Sequence, residues 1–387
     1  ISHGDKAAVE KVNTWWRFAE FGPAHIPALQ RMMLKLYPDF DSNYYNGLNY
    51  NIITEIESLD SSRSTVNFIK ENYEKIQDRD EYVKPFIISY LSGVQTKESF
   101  EVLKNCLLHY PFGVKGLSFF PGAIYDSLQL TSILYPDILR LADNEALWRM
   151  ICGTATSLVD GNLMKEQVFK QNASGFVTTA KRELAKDKQV IEDNGYSYTD
   201  LIRILGIINS PESNALVTRF AKFNNRELRF NTTIALLKNN QPVDKRTIYT
   251  IATTNEYRHD LYDELVKIKK ISFFPGEFKT QQKLAESKLF GYASDDEEPV
   301  SMISAGERIM IYKGEKQKFF LYKIAYSFEN PEYYLGVAGP YSMDTKNMNS
   351  DHSATGIYWD ELFDEKNLEA MLQKYFDSLN REKQAEE

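Results

Sequence analysis

Acid–base or metal chemistry in this chain would have to draw on few histidines, since only five occur, at positions 3, 25, 109, 259 and 352. None forms a His-x-x-x-His or Cys-x-x-Cys pair, the spacings that present two ligands to one ion, so zinc is not expected. His259, Asp260 and Asp263 fall within about one helical turn and would coordinate a metal only with ligands from elsewhere; the favoured reading is a solvated helix face. Asn347-x-Asn349-x-Asp351 imitates the opening of a calcium loop. His352 stands where that loop requires Gly, however, and Tyr358 where it requires a bidentate Glu, which makes 344–353 a polar loop. Gly336-Val-Ala-Gly339-Pro lacks the Gly-Lys-Ser/Thr ending of a phosphate loop. A Ser-His-Asp triad can assemble from distant positions, but no Gly-x-Ser-x-Gly elbow points to one. Cys106 and Cys152 lie on apolar helical stretches and read as buried thiols rather than as a nucleophile or a disulfide. The expected inventory of catalytic residues, cofactors and metals is therefore none.

The elements that would position any such residue carry a repeat. Ser118-Phe119-Phe120-Pro121-Gly122 recurs as Ser272-Phe273-Phe274-Pro275-Gly276, inside a longer pattern kept in the same order. At an offset of 99, Phe21, Ala24, Leu29 and Gln30 fall on Phe120, Ala123, Leu128 and Gln129, and Leu48, Ile52, Ser58 and Leu59 on Leu147, Ile151, Ser157 and Leu158. Leu36-Tyr37-Pro38-Asp39 returns as Leu134-Tyr135-Pro136-Asp137. The offset then grows to 114, where Leu91, Glu98, Ser99 and Val102 meet Leu205, Glu212, Ser213 and Leu216. Units near 20–117 and 118–271 follow, with a partial unit from 272.

Within each unit the spacing predicts helices. Phe86, Ile87, Tyr90, Leu91 and Val94 form one apolar stripe, and Leu201, Ile204, Leu205 and Ile208 form another. The next segments begin Thr96-Lys97-Glu98-Ser99 and Ser210-Pro211-Glu212-Ser213, where a hydroxyl can accept from an orphan amide and Pro suits the first helical position. In the repeated Phe-Phe-Pro-Gly corner, Pro stops one helix, Gly supplies a positive φ, and the two Phe anchor the bend.

The segment from Arg229 through Asn240, with an Arg opening an amphipathic second helix, is similar to the second helix of a HEAT repeat, and Arg258 to Val266 looks like a weaker copy. Residues 10–290 thus resemble HEAT/armadillo-like α-solenoid repeats. That resemblance implies an α-α superhelix over 1–294 and an extended surface for protein binding. The Leu-Tyr-Pro-Asp element and Leu158-Val159-Asp160-Gly161 are also similar to the C-terminal repeat extension of some TraB/GumN family proteins. This second resemblance implies that metal-dependent catalysis would belong to an upstream domain, and it carries no catalytic residue over.

Beyond the acidic stretch Asp295-Asp296-Glu297-Glu298-Pro299 the pattern alternates. Arg308–Tyr312 and Lys318–Tyr326 flank a Lys313-Gly314-Glu315-Lys316 hairpin turn, Tyr333–Val337 adds a third strand, and Gly336, Gly339 and Pro340 are expected to end it. Leu368, Met371, Leu372, Tyr375, Phe376 and Leu379 make one helical face to cover the sheet. The fold class expected is mainly α, a HEAT-like superhelix with internal duplication, followed over 300–387 by a small α+β domain of β-meander and C-terminal helix that caps the array.

A net charge of -8 argues against binding nucleic acid through phosphate neutralisation. Its 387 residues contain no apolar run long enough to span a bilayer. The chain opens Ile1-Ser2-His3-Gly4, which reads as one from which an upstream signal peptide or leading domain is missing; the compartment stays open. Adjacent Trp15 and Trp16 cannot both face inward on one helix, so one of them is a candidate partner contact. The leading expectation is a non-enzymatic protein–protein interaction scaffold, its partner another protein. The rivals are a hydrolase, in which the C-terminal polar loops or the His259 helix meet a groove of the array, and a nucleic-acid-binding helical repeat protein.

Overall fold

A computed structural model describes residues 21–34, 48–60, 63–75, 83–109, 127–294 and 299–386. Trp15 and Trp16, the Leu36–Asp39 element, the first Ser-Phe-Phe-Pro-Gly copy and Asp295–Glu298 lie outside them. The described chain is mainly helical with one small antiparallel sheet, and it divides into two compact units, 1–220 and 221–387. The acidic stretch near 295–299 is therefore not where the units part. Helices from Arg226 onward belong with the sheet, because one of them covers it.

Among the described residues of the first unit, the helices of eight residues or more are α1 (Ile26–Met33), α2 (Leu48–Leu59), α3 (Ser64–Asn72), α4 (Val83–Gly93), α5 (Lys97–Leu108), α6 (Trp148–Asp160), α7 (Ala173–Glu183), α8 (Thr199–Ile208) and α9 (Pro211–Phe220). Two groups of three among them are built alike. Helix α4 packs on α2 and α5, and α8 packs on α6 and α9. The turn in each second pair is set by one residue in the left-handed region, Gln95 (φ 52°) or Asn209 (φ 51°). Thr96 and Ser210 then cap α5 and α9 through reciprocal bonds: the Ser99 amide donates to Thr96 Oγ1 at 3.1 Å, and the Ser213 amide to Ser210 Oγ at 3.0 Å. Ser99 and Ser213 return the bond from their hydroxyls, which accept from the cap amides at 3.2 and 2.8 Å. Buried positions follow the same offsets. Ile52, Ile53 and Ile56 correspond to Ile151, Cys152 and Ala155, and Ile87, Ile88 and Leu91 to Leu201, Ile202 and Leu205.

The second unit begins with α10 (Arg226–Lys238), α11 (Lys245–Thr253), α12 (Asn255–Lys267) and α13 (Gln281–Ala293). Helix α10 is capped by Asn225, whose side chain accepts from the Leu228 amide, and α12 starts at Asn255. Neither is opened by the Arg expected there. Arg258 lies inside α12 with its guanidinium buried, donating to the carbonyls of Ala252 (2.7 Å) and Thr253 (3.0 Å), which closes the C-terminus of α11, and to Lys283 (3.1 Å) on α13.

The second Phe-Phe-Pro-Gly corner follows α12 as two short 3₁₀ turns, Ile271–Phe273 and Gly276–Phe278. Phe274 is buried edge-on against Tyr262 of α12, with ring centroids 5.3 Å apart, whereas Phe273 is exposed. Gly276 does not take the positive φ expected of it. The bend comes from extended backbone at Phe274 and Pro275 between the two turns.

Four strands make a meander, β1 (Ser301–Tyr312), β2 (Glu315–Ala325), β3 (Tyr334–Tyr341) and β4 (Gly356–Tyr358), paired antiparallel in chain order. Lys313 (φ 49°) and Gly314 (φ 83°) form the two-residue turn between β1 and β2, the positive φ pair that such hairpins need. Strand β3 runs through Gly336, Gly339 and Pro340 to Tyr341, so these residues do not end it. Gly336 serves a close approach instead: a Cβ there would stand 2.5 Å from the Ile324 side chain and 2.8 Å from that of Leu289.

Both faces of β2 and β3 are covered, whereas the edge strand β1 is largely exposed. Phe319, Leu321, Leu335 and Val337 pack against Leu368, Met371, Leu372, Tyr375 and Phe376 of α14 (Leu368–Glu386). Phe320, Tyr322, Ile324, Ala338 and Tyr341 pack against Ala285, Leu289 and Ala293 of α13. This is why Phe319 through Tyr322 of β2 form a continuous apolar run where alternation was expected. No helix among the described residues is long and apolar enough to cross a membrane.

Two sets of variants test this packing by chemical denaturation. Phe274→Ala is expected to cost about 3–5 kcal/mol, because it empties a buried aromatic site, and Phe273→Ala about 0.5 kcal/mol or less. Thr96→Ala and Ser210→Ala are each expected to cost about 1 kcal/mol, equal within error if the two caps are energetic twins.

Candidate functional site

The second unit contains a cleft of about 280 Å³ where α12, α13 and the segment between β3 and β4 meet. His259 comes from the second turn of α12, and His352 from residues 342–355, the polar segment that the calcium-like spacing had marked. Their Nε2 atoms are 3.1 Å apart and their rings are nearly perpendicular, at 73°. Glu256, Asp260, Lys288, Tyr292 and Thr355 line the rest.

Local chemistry holds each half in place. The Ser287 hydroxyl of α13 accepts from the His259 amide at 2.9 Å and donates to the Asn255 carbonyl at 2.5 Å, engaging both backbone groups of one helical turn. The 342–355 segment is tied down along its length. Gln281 Nε2 donates to the carbonyls of Ser342, Asp344 and Asn347 at 2.7–3.0 Å, and the Ser350 hydroxyl to that of Pro340 at 2.6 Å. Lys313 reaches both Asp351 Oδ2 (3.4 Å) and Ser353 Oγ (3.2 Å). His352 takes φ 52°, the left-handed backbone that the Gly of a calcium loop would adopt, and its amide donates to Ser350 Oγ.

Electrostatics disfavour the charged form of His352. Burial, with the neighbouring His259 and Lys288, pushes His352 down to about 4, against a smaller opposing pull from Asp351. Asp351 is itself held below the usual carboxylate range: burial raises it, but the Ser353 amide and hydroxyl and the Lys313 ammonium outweigh that. His259 Nδ1 faces Asp263 Oδ2 at 3.4 Å and Asp260 Oδ1 at 3.8 Å without hydrogen-bond alignment. Nδ1 of both histidines is buried without a hydrogen-bond partner.

The expectation of a solvated His259–Asp260–Asp263 face is corrected in part. The carboxylates are exposed, but His259 is buried, because α13 and the loop cover that side of α12. The structure brings it to His352, 93 positions away and read in the sequence only as an interruption of a calcium loop. Ser287 and Thr355 went unnoticed as well. No spacing signal links residues on a helix, a second helix and a loop, so only the fold could reveal them. Trp15 and Trp16 lie outside the described residues. Cys106 and Cys152 are free and buried; burial pushes the Cys106 thiol up to about 12 and Cys152 well above its ordinary value, which disfavours the reactive thiolate.

Chemically, the pair can share one proton or one cation. The serine and threonine hydroxyls of the cleft are committed elsewhere: Ser287 bridges to α12, and Thr355 Oγ1 accepts from the Gly339 amide and donates to the Gly339 carbonyl. No family model, curated protein or solved structure matches this chain.

The depressed His352 pKa fixes a pH dependence. The unfolded chain binds this proton at an ordinary histidine pKa near 6.5, the folded chain only near 4. Stability from this group is therefore full above about 6.5 and lost as pH falls toward 4. In chelator-treated protein, the His352 proton resonance should titrate near pH 4, and His352→Gln should flatten the fall in melting temperature over that window.

Proposed function

We propose that the chain is a non-enzymatic protein–protein interaction scaffold, in which HEAT-like helical hairpins duplicated from one unit form a superhelical array followed by a small α+β unit. The observation that carries this reading is the pair of hairpins α4–α5 and α8–α9. They share a left-handed turn residue, a reciprocal cap and a set of buried positions, at one constant offset of 114. Duplicated hairpins that bury their apolar faces on their neighbours leave their outer surfaces and turns for recognition, and partners are read there.

A hydrolase is the second reading, favoured by one observation, the histidine pair beside a cleft. The engaged hydroxyls of Ser287 and Thr355 weigh against it, since neither is available as a nucleophile without breaking backbone bonds.

Among the described residues of the first unit the most exposed large apolar residue is Tyr196, at 82%, in a 3₁₀ turn just after Lys188–Asp193, whose Val190 is exposed at 46%. These two side chains are the contact to test. A photoreactive residue at position 196 is expected to cross-link a discrete protein, which then binds the purified chain. The Val190→Ser/Tyr196→Ser double variant should melt like the parent and lose that complex. No cross-linked protein, or a complex indifferent to the double variant, would count against the scaffold reading at this surface.

A further inference from the structure

We infer that His259 and His352 together bind a divalent transition metal ion, zinc in the first instance, which clasps the 342–355 loop to α12. The inference is independent of the scaffold reading, since both residues lie in the second unit and no surface of the first enters it.

Geometry comes first. Zinc bonds imidazole nitrogen at about 2.0–2.1 Å, so one ion can touch two Nε2 atoms 3.1 Å apart with an N–Zn–N angle of about 95–105°. The ring centroids are 4.9 Å apart, closer than two imidazoles aimed straight at each other across that distance would be. At least one ring is therefore inclined off the N···N line, as convergence on a shared ion requires.

An ion would also fix which nitrogens carry the protons. Without an ion, one Nε2–H must donate to the other Nε2, and the ring that donates keeps an unprotonated Nδ1 that is buried without a hydrogen-bond partner. With an ion, both Nε2 lone pairs are used and both Nδ1 atoms carry the proton. That of His259 then stands 3.4 Å from the Asp263 carboxylate, out of hydrogen-bond alignment but close enough for the negative charge to favour the ligating tautomer.

The surroundings suit a cation. Glu256 and Asp260 line the cleft and offset Lys288, the cation that also faces it. The loop carrying His352 is already anchored by Gln281, Ser350 and Lys313, so little ordering is left for the ion to impose. Among the described residues no group of three or more His, Cys, Asp or Glu side chains forms a ligand set. The remaining coordination positions therefore open on the cleft, to be taken by water or by a carboxylate or imidazole from a bound molecule. Two neutral imidazoles with open positions suit zinc, copper or nickel rather than calcium or magnesium, which demand oxygen.

The test is titration of the chelator-stripped full chain with zinc chloride by calorimetry, and with cobalt(II) by visible absorption. One ion per chain is expected, with nitrogen-ligated cobalt bands, no response to calcium, and a raised melting temperature. His259→Gln and His352→Gln should each abolish the one-to-one binding, and Asp263→Asn should weaken it about tenfold or more. His109→Gln serves as the control and should bind like the parent. Circular dichroism of the stripped variants separates loss of ligand from loss of fold. If His259→Gln does not fold, His352→Gln decides alone, since its loop is anchored by other residues. No binding with zinc in excess over protein, or unchanged stoichiometry in His352→Gln, overturns the inference.

Discussion

Helix α13 is buried on two sides, and the geometry of the second unit depends on that. Ala285, Leu289 and Ala293 press on the sheet, while Leu284 joins the cluster made with α11 and α12. Its polar residues do the positioning. Gln281, in the first turn, grips the loop that carries His352, and Ser287, lower down, enters the backbone of α12 at His259. One rigid rod thus sets the distance between two imidazoles that share no neighbouring sequence. The approach is close because the contact side chains are small and because Gly336 has no Cβ to hold α13 away from β3.

Much of the helical layout was legible because its causes are local. Thr96 and Ser210 announce the starts of α5 and α9 because a hydroxyl cap and the helix it opens lie within four residues, whereas the left-handed turn at Gln95 carries no such mark. The Lys313–Gly314 hairpin is the same kind of signal. Leu368 through Phe376 announced the face of α14 because that helix covers the sheet on one side only.

What failed to show has the opposite character. Helix α13 carries buried residues on two sides and so presents no single stripe, which concealed both its role and the continuity between helices and sheet. Gly339–Pro340 reads as a strand end, yet β3 continues because pairing with β2 resumes at Tyr341, opposite Lys318, beyond the irregularity that these two residues occupy. In the sequence His259 stands beside exposed acids and His352 interrupts a motif, and each is one side of a contact whose other side lies far along the chain.

That separation has a kinetic side. The hairpins of the first unit close between residues a few positions apart, so the entropy lost in forming them is small and their contacts are of low order. The meeting of His259 and His352 closes a loop of 93 residues and waits on the sheet between them. A chain emerging from the ribosome would therefore complete α4–α5 and α8–α9 long before any cleft existed. Until β3 and the segment after it arrive, α12 displays to solvent a histidine that the finished protein hides.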